Sequence, residues 1–229
     1  MNLYFLVEGR RTEKKVYRAW IGYVFPQLTE AGKIEDVHSN HYFIMAGYGY
    51  PSYRQRIRES LRDIAGWGNI DHFFICVDCE EETPESKIRE IKEIVSEGEH
   101  VSNCHVMVQN CCMETWFLGN RRIMKRNPVG EALREYKKFY DVSRDDPEDM
   151  GRPADYKFRA HFHEAYLKAM LRERGLRYSK SKPGIVMERP YFQELADRNI
   201  ETGHMPTFGK LIRLWKKMGG DIPVRQQSA

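Results

Sequence analysis

The sequence predicts an α/β fold, a mostly parallel β-sheet flanked by helices, with a helical C-terminal half packed on it. Three observations carry that prediction. Short apolar runs alternate with amphipathic, helix-length segments four times within residues 1–120, the pattern of repeated strand–helix units. The third run, Asp71–Val77, is almost continuously apolar, as a strand covered on both faces requires. Beyond residue 120 helical periodicity continues, but no second set of strong strands follows.

Taken in order, the first strand spans residues 2–7. Thr12–Val24 reads as a helix with Val16, Ala19, Trp20 and Tyr23 at the spacing of one buried face, and Pro26 stops it. His41–Ala46 is the second strand, followed by the turn signal Gly47-Tyr48-Gly49-Tyr50-Pro51. Tyr53–Ala65 is helical, with Gly66 and Gly68 behind it. After the third strand, Pro84–Glu97 forms a helix with Thr83 as N-cap, Pro84 at its first position and an inward stripe of Ile88, Ile91, Ile94 and Val95. Cys104–Val108 is the fourth strand and runs into Met113–Leu118. Glu131–Phe139, 154–174, Glu188–Asn199 and Thr207–Met218 read as helices, and Ser143–Asp149 as a loop. The expected organisation is an α/β core over residues 1–120, with 121–229 a basic, mainly helical extension of the same domain.

Composition narrows the classes. A chain of 229 residues with 41% hydrophobic and 12% aromatic residues can build an ordinary core without staples. No apolar run approaches the roughly 20 residues of a membrane span, and the N-terminus lacks the features of a signal peptide. A cytoplasmic location without membrane association is therefore expected. Five scattered cysteines argue against a secreted disulfide framework. Cys76-Val77-Asp78-Cys79 is formally a C-x-x-C, but its first cysteine lies inside a strand, where alternation sends the two side chains apart. Cys111-Cys112 is the other close pair and matches no zinc spacing.

Charge is unevenly spread. Residues 1–120 carry 13 Lys/Arg against 18 Asp/Glu, and residues 121–229 carry 24 against 15. An acidic half joined to a basic one suits an enzyme acting on a polyanion, whose phosphates the basic part attracts. Lys- and Arg-rich helical surfaces also serve plain solubility.

Chemistry gathers at two strand ends. The first strand stops at Glu8-Gly9 and leads to Thr12-Glu13; the third stops at Asp78-Cys79-Glu80. In a parallel sheet, the carboxyl ends of strands collect ligands and catalytic groups. Magnesium takes oxygen ligands, commonly one or two carboxylates together with substrate phosphate. Glu8, Asp78 and Glu80 could share such an ion, and Glu13, in the first turn of its helix, could turn back toward it. Gly9 would let the backbone turn tightly beside a phosphate. Taken singly, Glu8 also reads as a polar strand end, Glu13 as a helix-start acid, and Glu80-Glu81-Glu82 as a solvated charge run.

These residues resemble the TOPRIM domain of topoisomerases, primases and several nucleases. The resemblance rests on Val7-Glu8-Gly9 with Thr12-Glu13, and on the apolar strand ending Val77-Asp78-Cys79-Glu80. It covers about residues 1–120 and is closest to the small stand-alone TOPRIM nucleases of anti-phage defence systems and to the overcoming-lysogenisation-defect nucleases. It implies a TOPRIM-like, Rossmann-like sheet. It also implies Glu8 as metal ligand or general acid/base, Asp78 and Glu80 as metal ligands and Glu13 as a supporting ligand, with Mg²⁺ or Mn²⁺ as cofactor. Asp-Cys-Glu stands where the family has Asp-x-Asp, so Glu81 or Glu82 could share the role of Glu80.

Glu114, within a Glu-x-Trp that related proteins share, is a further ligand candidate, or else the exposed acid of a short helix. The loop Tyr178–Gly184 carries Lys180 and Lys182, either of which would match a late lysine that neutralises the scissile phosphate; an ordinary basic loop reads equally well. His161 and His163 diverge on a helix and read as structural or surface groups.

The expected function is a metal-dependent nuclease acting on DNA or RNA, transfer RNA included. The resemblance further implies a toxic effector of an anti-phage system controlled by a partner ATPase. The chain has no G-x-x-x-x-G-K-[ST] loop of its own. The alternative is a catalytically degenerate nucleic-acid-binding or adaptor subunit. Topoisomerase or primase activity is disfavoured, for the chain shows neither a large strand-passage apparatus nor zinc-finger spacing. A homo-oligomer is compatible with the sequence.

Overall fold

Alternation along the strands builds two cores on one sheet. Leu3, Phe5 and Val7 of β1 (Leu3–Val7) face one core, and Tyr4 and Leu6 face the other. Each set is fully covered, which explains why the strand reads as a continuous apolar run. The remaining strands are β2 (Thr29–Glu30), β3 (His41–Ala46), β4 (His72–Asp78) and β5 (Cys104–Gln109). All pair in parallel, in the order β2-β3-β1-β4-β5. The chain is thus α/β with a Rossmann-like parallel sheet between helical layers. The structure, a computed structural model, describes residues 1–49 and 52–225, and the expected turn residues Tyr50 and Pro51 lie outside the described residues.

Helices α2 (Ser52–Trp67) and α3 (Pro84–Ser96) cover one face through Tyr53, Ile57, Leu61, Ile91 and Ile94. Helix α1 (Thr12–Val24) lies on the other. It shares that face with α4 (Met113–Phe117), α5 (Glu131–Phe139), α6 (Arg159–Arg172), α7 (Arg189–Thr202) and α8 (Pro206–Lys217). The second half of the chain therefore shares one apolar core with the sheet. Trp20 of α1 joins the layers, its ring centroid 4.9 Å from Phe192 and 6.5 Å from Trp116. Helices that follow neighbouring strands β1 and β4 lie on opposite faces, so their carboxyl ends flank the switch point where open α/β sheets bind ligands.

Several details differ from the sequence reading. The two-residue β2 is too short to show periodicity. Helix α1 buries Val16 and Trp20 as expected, but Thr12, Tyr17, Ile21 and Val24 complete its buried face, while Ala19 and Tyr23 are half-buried. The helix is wedged between the sheet and a second helical layer, so its buried arc is wider than one stripe. Ile88 and Val95 of α3 are only partly buried; they line a surface groove with Lys210 and Leu214 of α8. Helix α6 starts at Arg159 rather than near 154, after a turn closed by Tyr156 N–H on Pro153 O at 3.1 Å. Thr83 caps α3 as expected, accepting from Ser86 N–H at 3.2 Å. Cys76 and Cys79 are buried in different cores, both as free thiols. Among the described residues no helix is long and apolar enough to cross a membrane.

Candidate metal centre

The ends of β1 and β4 are fixed side by side. Val7 lies opposite Cys76, and Tyr53 of α2 ties the two strands together, its hydroxyl sharing one proton between Leu6 O at 2.9 Å and Cys76 O at 2.8 Å. Glu8 and Asp78 then leave the sheet at adjacent points. Glu8 Oε2 accepts from the Asp78 N–H at 3.2 Å, so the first acid is docked on the backbone of the second.

Glu13 joins them from the first turn of α1. Its carboxylate folds back over Gly9 so closely that a Cβ on Gly9 would stand 2.0 Å from Glu13 Oε2. The role of Gly9 is therefore different from that expected. Its φ is not positive, and what glycine supplies is room for the carboxylate. Glu80 reaches the same cleft from a left-handed residue, φ +49, with its N–H on Cys111 O at 2.8 Å and its carbonyl accepting from Arg159 Nη2. Glu8, Glu13, Asp78 and Glu80 line one cleft together with Arg10, Arg11 and Lys180.

Glu81 and Glu82 are engaged elsewhere. Glu81 accepts from the Arg159 N–H at 2.6 Å, and Glu82 pairs with Lys87 at 2.6 Å. Glu114 is 3% exposed. It is not an exposed helix acid but a buried one, its Oε1 accepting from the Tyr178 hydroxyl at 2.7 Å. It lies behind the cleft rather than in its lining.

Tyr178 opens the basic loop, which is pinned to the start of α1: Thr12 Oγ1 donates to Lys180 O at 3.0 Å. Lys180 lines the cleft, with its Nζ 4.0 Å from Glu164. Lys182 is exposed and outside that lining, its backbone closing a tight turn onto Ser179. Of the two lysines, the structure brings Lys180 to the acids.

The electrostatics of the cluster are those of crowded carboxylates. Burial, then the charges of Glu13 and Glu80, push the Glu8 carboxyl up to about 7 against the opposing Asp78 hydrogen bond. Glu13 is raised by burial and by Glu114. Asp78 is raised as well, by burial and then by Glu13, Glu8 and Glu114. One of its oxygens, Oδ1, is sealed from solvent and has no hydrogen-bond partner among the described residues. For Lys180 burial acts to lower the pKa, but Glu114 and Glu164, ahead of Cys112 and Asp78, hold it above its ordinary value. Unpartnered carboxylate oxygen among mutually repelling acids is the donor set that a hard divalent cation satisfies. The residues present therefore fit Mg²⁺ or Mn²⁺.

Three features escaped the sequence reading. The Tyr178–Glu114 and Thr12–Lys180 bonds join residues 64 and 168 apart, and separations of that length leave no local signal. The third is a buried group formed by Cys111, Cys112 and His163. His163 accepts from or donates to Thr115 Oγ1 at 2.7 Å and bonds Met150 O at 3.1 Å, so this histidine is structural, while His161 is exposed. No protein-family model, no curated protein and no solved structure matches this chain.

Proposed function

We propose that the protein is a metal-dependent nuclease that hydrolyses phosphodiester bonds of DNA or RNA. One observation carries the reading: Glu8, Glu13 and Asp78 converge at adjacent strand ends on the sheet's switch point, with Asp78 Oδ1 buried and unpartnered. Mg²⁺ or Mn²⁺ held by Glu8, Glu13, Asp78 and Glu80, with Glu114 behind them, would supply charge neutralisation and an activated water.

The chain's own residues have separable parts. Lys180 presents a held positive charge at the cleft, suited to the oxygens of a substrate phosphate. Glu8 has Oε2 engaged by the Asp78 N–H. That leaves Oε1 either to hold the ion or to exchange a proton with the attacking water or the leaving oxygen. Purified protein should cleave nucleic acid only with Mg²⁺ or Mn²⁺, and Glu8→Gln or Asp78→Asn should abolish cleavage.

Through the TOPRIM resemblance the reading extends to a toxic effector of an anti-phage system restrained by a partner ATPase. Expression of the chain alone should arrest growth, and Asp78→Asn should relieve the arrest; harmless expression of cleaving protein would contradict it. The second reading, a degenerate adaptor, is favoured by Glu80 replacing the usual aspartate on an exposed, left-handed residue. Calorimetric titration separates the two, because an adaptor would show no carboxylate-dependent Mn²⁺ binding.

A further inference from the structure

Tyr48 is a large aromatic side chain placed where it serves neither core. It follows β3, between Gly47 and Gly49, with φ +66 and 59% exposure. A left-handed backbone is a true outlier for a bulky residue and persists only where its surroundings impose it. They do so here. The Gly47 N–H donates to Val7 O at 2.7 Å, the Gly49 N–H donates to Glu8 O at 3.3 Å, and Gly49 O accepts from the Tyr53 N–H at 2.8 Å. Gly47 itself packs so tightly on Tyr53 that a Cβ would stand 2.1 Å from the ring. The loop is thus locked onto the same strand end that carries Glu8, and the lock turns the Tyr48 ring outward.

Two guanidinium groups flank that ring. Arg10 lies 4.9 Å and Arg56 5.7 Å from its centroid, and Arg56 is steadied by Glu59 at 2.6 Å. Arg10 and Tyr48 line the acid cleft, and both also line an adjoining groove that adds Lys14 and Arg56. The described lining of that groove holds no carboxylate. A basic groove therefore opens into the acidic cleft, with an aromatic ring at the junction.

We propose that Tyr48, with Arg10 and Arg56, is a stacking clamp for single-stranded nucleic acid passing from the basic groove to the acid cleft. The proposal rests on the nuclease reading of the cleft and adds its substrate class, an unpaired strand. An unpaired base offers a flat face to a tyrosine ring or a guanidinium plane, while Lys14, Arg10 and Arg56 neutralise the flanking phosphates. In a duplex those base faces are already stacked, so the clamp has nothing to grip unless a base is extruded.

The test is fluorescence anisotropy with short labelled oligo(dT), oligo(U) and a duplex of equal length, in EDTA so that no strand is cleaved. Wild type should bind both single strands more tightly than the duplex, and the two strands report whether DNA or RNA is preferred. Tyr48→Ala should weaken single-strand binding about tenfold and Tyr48→Trp should restore it. Arg56→Gln should weaken binding and flatten its salt dependence. Tyr48→Ala binding indistinguishable from wild type, or a duplex bound as tightly as a single strand, overturns the clamp. Tyr48-dependent binding without metal-dependent cleavage would instead defeat the nuclease reading alone.

Discussion

Gly9 is the residue at which geometry and chemistry meet most sharply. Its missing side chain leaves the space that the Glu13 carboxylate occupies. Gly9→Ala would push that carboxylate aside, and because the clash is with the far end of a flexible side chain, the fold should tolerate it. The expected outcome is Mn²⁺ affinity lowered at least about tenfold, the usual size of a disturbed ligand-support contact, with the melting temperature held. Titration calorimetry beside thermal melts checks both halves. The sequence marks Glu8 and Asp78 as site candidates because each sits at a strand end, and Glu13 because it falls in the first turn of the helix that follows, positions that carry meaning by themselves. It does not separate Lys180 from Lys182, because which one reaches the acids depends on a turn closed by Ser179 and on the distant Thr12. Nor does it show Glu114 as buried, since its partner Tyr178 is brought in by tertiary packing.

At the scale of elements, the first half of the fold is far more legible than the second. Strands covered on both faces announce themselves as apolar runs, and β3 starts and ends where the sequence places it. The helices of the second half are legible as helices, but their partners are not, because amphipathic periodicity says which side is buried and not against what. Arg198 is the clearest case. It is fully buried on α7, where it donates to Gly119 O at 3.0 Å, Val142 O at 2.7 Å and Asp145 O at 2.8 Å. These bonds satisfy carbonyls of two loops and fasten α7 to the segments after α4 and α5. Arg198→Ala would leave those acceptors without a donor and should destabilise the protein by about 3 kcal/mol. Denaturant unfolding of the variant measures the loss, and a change under about 1 kcal/mol would mean the loops find other donors.

For the whole molecule, the carboxylate cluster couples stability to pH and to metal. The Glu8 carboxyl is raised from its ordinary value of 4.5 to about 7, and Glu13 and Asp78 are shifted the same way. Between about 4.5 and 7 the folded state therefore holds protons that the unfolded state has released, so metal-free stability falls as pH rises through that window. Glu148, pushed up to about 7 mainly by burial, adds to the same slope. Glu8→Gln should remove a share on the order of 1–3 kcal/mol and flatten the curve. Mg²⁺ or Mn²⁺ should raise the melting temperature more at pH 8 than at pH 5, because protonated carboxyls do not hold the ion. Melting curves across pH, with and without metal, give both results.

The central claim is that these acids serve phosphodiester hydrolysis. Incubating wild type and Asp78→Asn with a panel of DNA, total RNA and transfer RNA, each with Mg²⁺, with Mn²⁺ and with EDTA, addresses it most directly. Cleavage of at least one substrate by wild type, dependent on metal and abolished in folded Asp78→Asn, is the result expected. Equal cleavage by the variant, or none by a folded wild type on any substrate, would contradict it.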